Sequence, residues 1–173
     1  MSWIIYLVLF AFAIYLCYNF AALSLFGTPP SLSQTYYLYK KRKNWQKYLF
    51  PGMMTIMAFL LVPAWLEISE GSDLQFMAFL TVAGILFTGA APAFKDDDMT
   101  GKVHTISAIC AAVFALLWII LVAKLWWFIL AWLILVVLIA LLTGTLKKGL
   151  TYWLETVAFM STFTSIIAYF ITK

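Results

Sequence analysis

Apolar residues in this chain come in long runs, separated by short polar stretches. Crossing ~30 Å of hydrocarbon takes roughly 20 apolar residues in a helix. The first run covers residues 3–26 and stops at Gly27 and the Pro29-Pro30 pair, because proline cannot continue the hydrogen-bond ladder. Further runs cover residues 49–66 and 74–91, with Gly71 in the acidic turn between them and Pro92 closing the third. From residue 103 to 145 the sequence is apolar except for a few small polar residues and one interior charge, Lys124. As one helix this stretch would extend roughly 60 Å, twice the hydrocarbon thickness, so it must turn. Lys124 is the natural place, although no glycine or proline marks it, and spans of about 104–123 and 126–145 result. A last run covers 150–172. The pattern predicts an all-α fold: a polytopic transmembrane bundle of six spans, one transmembrane domain over residues 1–173, with no soluble domain.

The long polar segment, residues 31–48, interleaves Lys40, Lys41, Arg42, Lys43 and Lys47 with Tyr36, Tyr37, Tyr39, Trp45 and Tyr48. Such a composition suits a helix lying at the headgroup level, where the cations meet anionic lipid or simply fix orientation. The two roles are compatible.

Composition confirms the solvent. Of 173 residues, 65% are hydrophobic and 10% charged, against about half and about a quarter in soluble domains. The net charge of +4 does not indicate nucleic acid. Nine of the eleven basic residues fall in the loops after the first, third and fifth spans, and only Lys124 and Lys173 lie on the other side. This bias places the three basic loops in the cytoplasm and both termini outside it, in an inner or plasma membrane. The first run has no basic leader and is long for a signal peptide, so it is read as a retained helix. Trp3, Trp65, Trp126 and Trp127 are expected at one interface, and Tyr48, Tyr152 and Trp153 at the other. Cys17 and Cys110 lie in apolar runs without CxxC spacing and read as buried, unreactive thiols.

Few residues carry chemistry. Glu155 heads a stripe of Ala158, Thr162, Ser165 and Tyr169 at helical spacing in the last span. Intramembrane carboxylates often serve a cation or substrate site, so Glu155, Thr162 and Ser165 are candidates. The plainer alternative is a carboxylate that snorkels to Lys147 or Lys148. Asn19, one turn after Tyr15, is either part of that binding set or an amide bonding two helices together. His104, the single histidine, follows the acidic run Asp96–Asp98. It is either a general base oriented by Asp97 or Asp98, or a residue capping the loop. The aspartates are either ligands for a hard cation or merely solvated. Lone histidine rules out a multi-histidine zinc site, and no cofactor or metal motif is visible. Ser107, Ala111 and Ala115, with Gly84, Gly89 and Ala90, point to close helix packing.

Gly89-Ala90-Ala91-Pro92, the acidic loop, and His104 to Ala108 opening a helix resemble a feature of an uncharacterised bacterial membrane family, itself similar to the Frag/DRAM/Sfk group of six-helix membrane proteins. The matching residues are Gly89, Pro92, one of Asp96–Asp98, and His104. The resemblance implies a six-helix bundle, a site near the loop between spans three and four, and a lipid-related role. Three functions stay open on the sequence: binding or moving a lipid or small amphiphile, membrane enzymology using His104 with an acidic residue at the cytoplasmic face, and a structural or accessory subunit, as a homo-oligomer or with a membrane protein partner.

Overall fold

The computed structural model describes residues 3–172, and among them the chain is helical with no strand. Lys173, counted above for orientation, lies outside them. Seven helices follow in order: α1 (Trp3–Phe26), α2 (Thr35–Arg42), α3 (Leu49–Ile68), α4 (Phe76–Ala90), α5 (Asp98–Leu121), α6 (Trp127–Leu142) and α7 (Leu150–Thr172). A 3₁₀ turn, Asn44–Tyr48, leads into α3. Four stretches are long and apolar enough to cross a membrane: Trp3–Phe26, Asn44–Ile68, Asp98–Leu121 and Leu150–Thr172. The helices α4 and α6 are apolar but have only 15 and 16 residues, about 23 Å of helix against ~30 Å of hydrocarbon.

The turns explain the order. Gly27 takes φ 68° and its N–H closes on Leu23 O at 2.9 Å, ending α1. The break in the long apolar run does fall at Lys124, which adopts φ 56°; the Leu125 N–H then reaches back to Ile119 O at 3.0 Å. A left-handed lysine is uncommon, so the turn has no compositional signature. Gly144, at φ 65°, ends α6: its N–H bonds Leu141 O and the Thr145 N–H bonds Ala140 O, a Schellman pattern.

Several boundaries differ from the sequence expectation; α6, for one, ends at Leu142 and not near 145. The helix α5 starts at Asp98, not near 104, because Asp97 caps it: the carboxylate accepts from the Thr100 N–H at 2.8 Å and hydroxyl at 3.0 Å. His104 therefore sits nearly two turns inside the helix. And α3 passes through Pro63 to Ile68.

Packing alternates in direction. Gly89, near the end of α4, lies against Met54 near the start of α3. A Cβ on Gly84 would fall 2.7 Å from the Ala111 N and Ser107 O, so the backbones of α4 and α5 nearly touch. The extensive contacts run α1–α3, α3–α4, α4–α5, α5–α7 and α7–α1, a closed ring of five helices. Outside it, α6 packs on α7, with Trp132 Nε1 donating to Thr164 Oγ1 at 3.0 Å. Val136 and Ala140 of α6 are buried and Ile129 and Trp132 pack partly against the core, while its other face, with Ile134, Leu138 and Leu142, is exposed.

Several aromatic and thiol expectations are corrected. Trp3, Trp126, Trp127 and Tyr48 are exposed, as interfacial rings should be, but Trp65, Tyr152 and Trp153 are buried in the bundle. The last two bond inside the protein: Tyr152 Oη donates to Asn19 Oδ1 at 3.1 Å and Trp153 Nε1 to Thr145 Oγ1 at 3.2 Å. Cys17 is free but faces outward from α1 instead of being buried in protein.

Candidate functional site

A partly open cavity lies between α3, α4, α5 and α7. Its wall on α3 extends from Phe50 and Met54 to Leu61 and Trp65, about 22 Å along the helix axis. Thr81, Ile85 and Thr88 come from α4, and Ala108, Ala111, Ala112 and Ala115 from α5. Glu155, Ala158, Phe159 and Thr162 come from α7, and Leu32, in the loop between α1 and α2, closes one end. The cavity holds about 60 Å³, room for a few water molecules or one thin chain segment. The alanines keep it open, because larger side chains at their spacing would fill it.

The wall is nearly all apolar. Three threonine hydroxyls donate one turn back along their own helices: Thr81 to Met77 O, Thr88 to Gly84 O and Thr162 to Ala158 O, at 2.7–2.8 Å. Among the described residues, Glu155 is the only ionisable side chain lining the cavity. It does not snorkel. Its Oε2 accepts the Leu32 N–H at 2.6 Å, joining α7 to the α1–α2 loop. Lys147 and Lys148 are exposed, and the one ion pair among the described residues joins Lys40 to Asp96 at 3.9 Å. The carboxylate thus has a backbone partner and no cation. Trp65 also lines the cavity, and its indole N–H is buried without an acceptor, whereas neighbouring Trp118 donates to Ser69 Oγ at 2.7 Å.

The other candidates fall elsewhere. Ser165 is fully buried, without a hydrogen-bond partner, and off the cavity. Asn19 binds α1 to α7, taking the Tyr152 hydroxyl on Oδ1 and giving Nδ2–H to Tyr15 O at 2.9 Å. His104 is buried at the end of α4: Nδ1 meets Ala91 O at 3.0 Å, and the ring stacks on Phe94 with centroids 4.5 Å apart. Asp97 is occupied with Thr100, whose N–H and then hydroxyl hold its carboxyl below the usual range. Asp98 is exposed in the first turn of α5. The structure therefore brings His104 to a backbone carbonyl and not to either aspartate. Gly89 lies against Met54 of α3, and Ala91 O meets His104 of α5, both at the end of α4. Among the described residues, no cluster of three or more His, Cys, Asp or Glu side chains could hold a metal ion.

The basic segment is two-faced. Thr35, Tyr36 and Tyr39 of α2 are buried, while Lys40, Lys41, Arg42 and Lys43 are exposed. Tyr37 ties it to the α4–α5 loop: its hydroxyl accepts the Lys95 N–H at 2.7 Å, and Lys95 Nζ donates to Gln34 Oε1 at 2.8 Å.

Of the candidates visible in the sequence, Glu155 and Thr162 line the cavity; Leu32, Trp65, Thr81, Thr88 and the alanines line it too without having stood out as candidates. One signal was available: Thr81, Gly84 and Thr88, and likewise Ala108, Ala111, Ala112 and Ala115, recur on one helix face. Small residues are equally the mark of close packing, which Ser107 and Ala111 do provide against Gly84. Compared with known proteins, the chain matches no protein-family model, no curated protein and no solved structure.

Proposed function

We propose that the protein binds, or moves across the membrane, a lipid-like molecule with a single slim chain, held in the cavity between α3, α4, α5 and α7. The observation that carries this reading is an apolar cavity among these helices with one carboxylate in its wall. Apolar walls with few placed polar groups are the usual make-up of a small-molecule site. In this reading six helices cross the membrane. Supporting it, α4 runs antiparallel to both α3 and α5, and α6 antiparallel to α7, so each short apolar helix returns the chain between long ones. The basic loops then face the cytoplasm of an inner or plasma membrane, with both termini outside. The exposed cations of α2 meet anionic headgroups. The environment of His104, a backbone carbonyl and a stacked ring, favours a structural part over a catalytic one.

A photoactivatable octanol carrying a diazirine tests the cavity in lipid nanodiscs. Saturable labelling is expected at inner residues such as Met54 and Phe159, lost in Ala112→Phe, while labelling of outward-facing Phe20 persists. Labelling confined to outward residues such as Phe20 and Ile134 would contradict the proposal.

A further inference from the structure

We infer that the cavity selects its ligand by charge: the occupant is a single-chain primary amine, its ammonium on Glu155 and its alkyl chain along α3. The inference rests on the reading of the cavity as an amphiphile site and adds the chemistry of the head group.

Glu155 sets the sign. Among the described residues it is the only ionisable side chain in the wall, and the opposite faces on α3, α4 and α5 supply Phe, Met, Leu, Trp, Thr, Ile and Ala, with no lysine, arginine or histidine. A carboxylate removed from water is costly to leave unpaired. It has two oxygens and about four acceptor positions, and the protein fills one of these with the Leu32 N–H. A ligand that brings a positive charge and N–H donors completes the set. A primary ammonium carries three donors and no acceptor. A quaternary ammonium brings charge without donors, and a carboxylate or phosphate head brings repulsion. Shape limits the tail. With about 60 Å³ open, the cavity must widen to take even one alkyl chain, and the paired chains of a phospholipid would demand far more. The remaining wall has no second charge that would hold a zwitterion.

Competition against the diazirine-octanol label, in nanodiscs of neutral phosphatidylcholine at pH 7, reads the preference directly. The competitors are octylamine, octyltrimethylammonium, octanol and octanoate. Octylamine should displace the label from Met54 and Phe159 at a concentration at least tenfold below octanol, with octyltrimethylammonium between them and octanoate weakest. In Glu155→Gln, octylamine and octanol should become equal. The wild-type series decides the matter even where that variant fails to fold. Equal displacement by octylamine and octanol in wild type overturns the charge selectivity and leaves the amphiphile site standing. Failure of every compound to displace the label overturns the site itself, and the selectivity with it.

Discussion

His104 and Glu155 are both ionisable side chains set in the early turns of apolar helices, and each reaches a backbone group on another part of the chain. Their surroundings differ. His104 meets Ala91 O, is stacked on Phe94 and has Phe50 nearby, so the space around it is filled. Glu155 meets the Leu32 N–H but borders the cavity and has no cation. A polar group in a filled surrounding fastens two elements together. One beside open space retains capacity for a partner. Both residues are candidates on the sequence; in the structure only Glu155 borders open space.

Substitutions can break that contrast. His104→Ala removes a buried ring, its hydrogen bond and its stacking partner. It should cost about 2–4 kcal/mol in a denaturant titration in mixed micelles, with label competition in the folded fraction unchanged. Loss of competition at full stability would reverse the two roles. Glu155→Gln should do the opposite: stability within about 1 kcal/mol of wild type, since the amide oxygen still accepts the Leu32 N–H, and loss of the amine preference. Asn19→Leu breaks the bond to Tyr152 between α1 and α7 without touching the cavity. It should cost about 1 kcal/mol, as such bonds between membrane helices do, and leave octanol labelling intact; altered labelling would extend the site to Asn19.

Asp97→Ala sharpens the account of the acidic loop. As the cap of α5, Asp97 should stabilise the helix start most when ionised. Its folded pKa lies below the ordinary value, chiefly through the Thr100 N–H. The wild-type advantage over Asp97→Ala should therefore be full above the unfolded carboxyl range and fade as pH falls through the lowered folded value. Hydrogen exchange in α5 between pH 7 and pH 3 would show it; a pH-independent difference would mean that Asp97 does not cap α5 through its charge. The smallest perturbation concerns sidedness: a cysteine replacing exposed Asn44 should resist an impermeant thiol reagent in intact cells, and ready labelling would invert the topology.

Much of the fold was legible because lipid imposes a simple code. Long apolar runs became helices, the run too long for one span did turn at Lys124, and the aromatic-basic segment became a helix with buried Tyr36 and Tyr39 and exposed cations. The early start of α5 was hidden because Asp98 and Lys102 are polar, although the helix continues through them, capped by Asp97. The site was only half legible. Spacing along α7 put Glu155, Ala158 and Thr162 on one face, and that face does line the cavity. The Leu32 contact joins residues 123 positions apart, and no local pattern encodes it. Nor does hydropathy separate Trp65, buried against Trp118, from the exposed Trp126 and Trp127.

The central claim is that Glu155 faces an occupied cavity, and an experimental structure of the protein in nanodiscs, with octylamine added, tests it most directly. The account predicts one elongated feature between α3, α4, α5 and α7, ending within hydrogen-bond distance of the Glu155 carboxylate while Leu32 stays beside it. A closed core with no such feature, and Glu155 turned out toward Lys147 or Lys148, would contradict it.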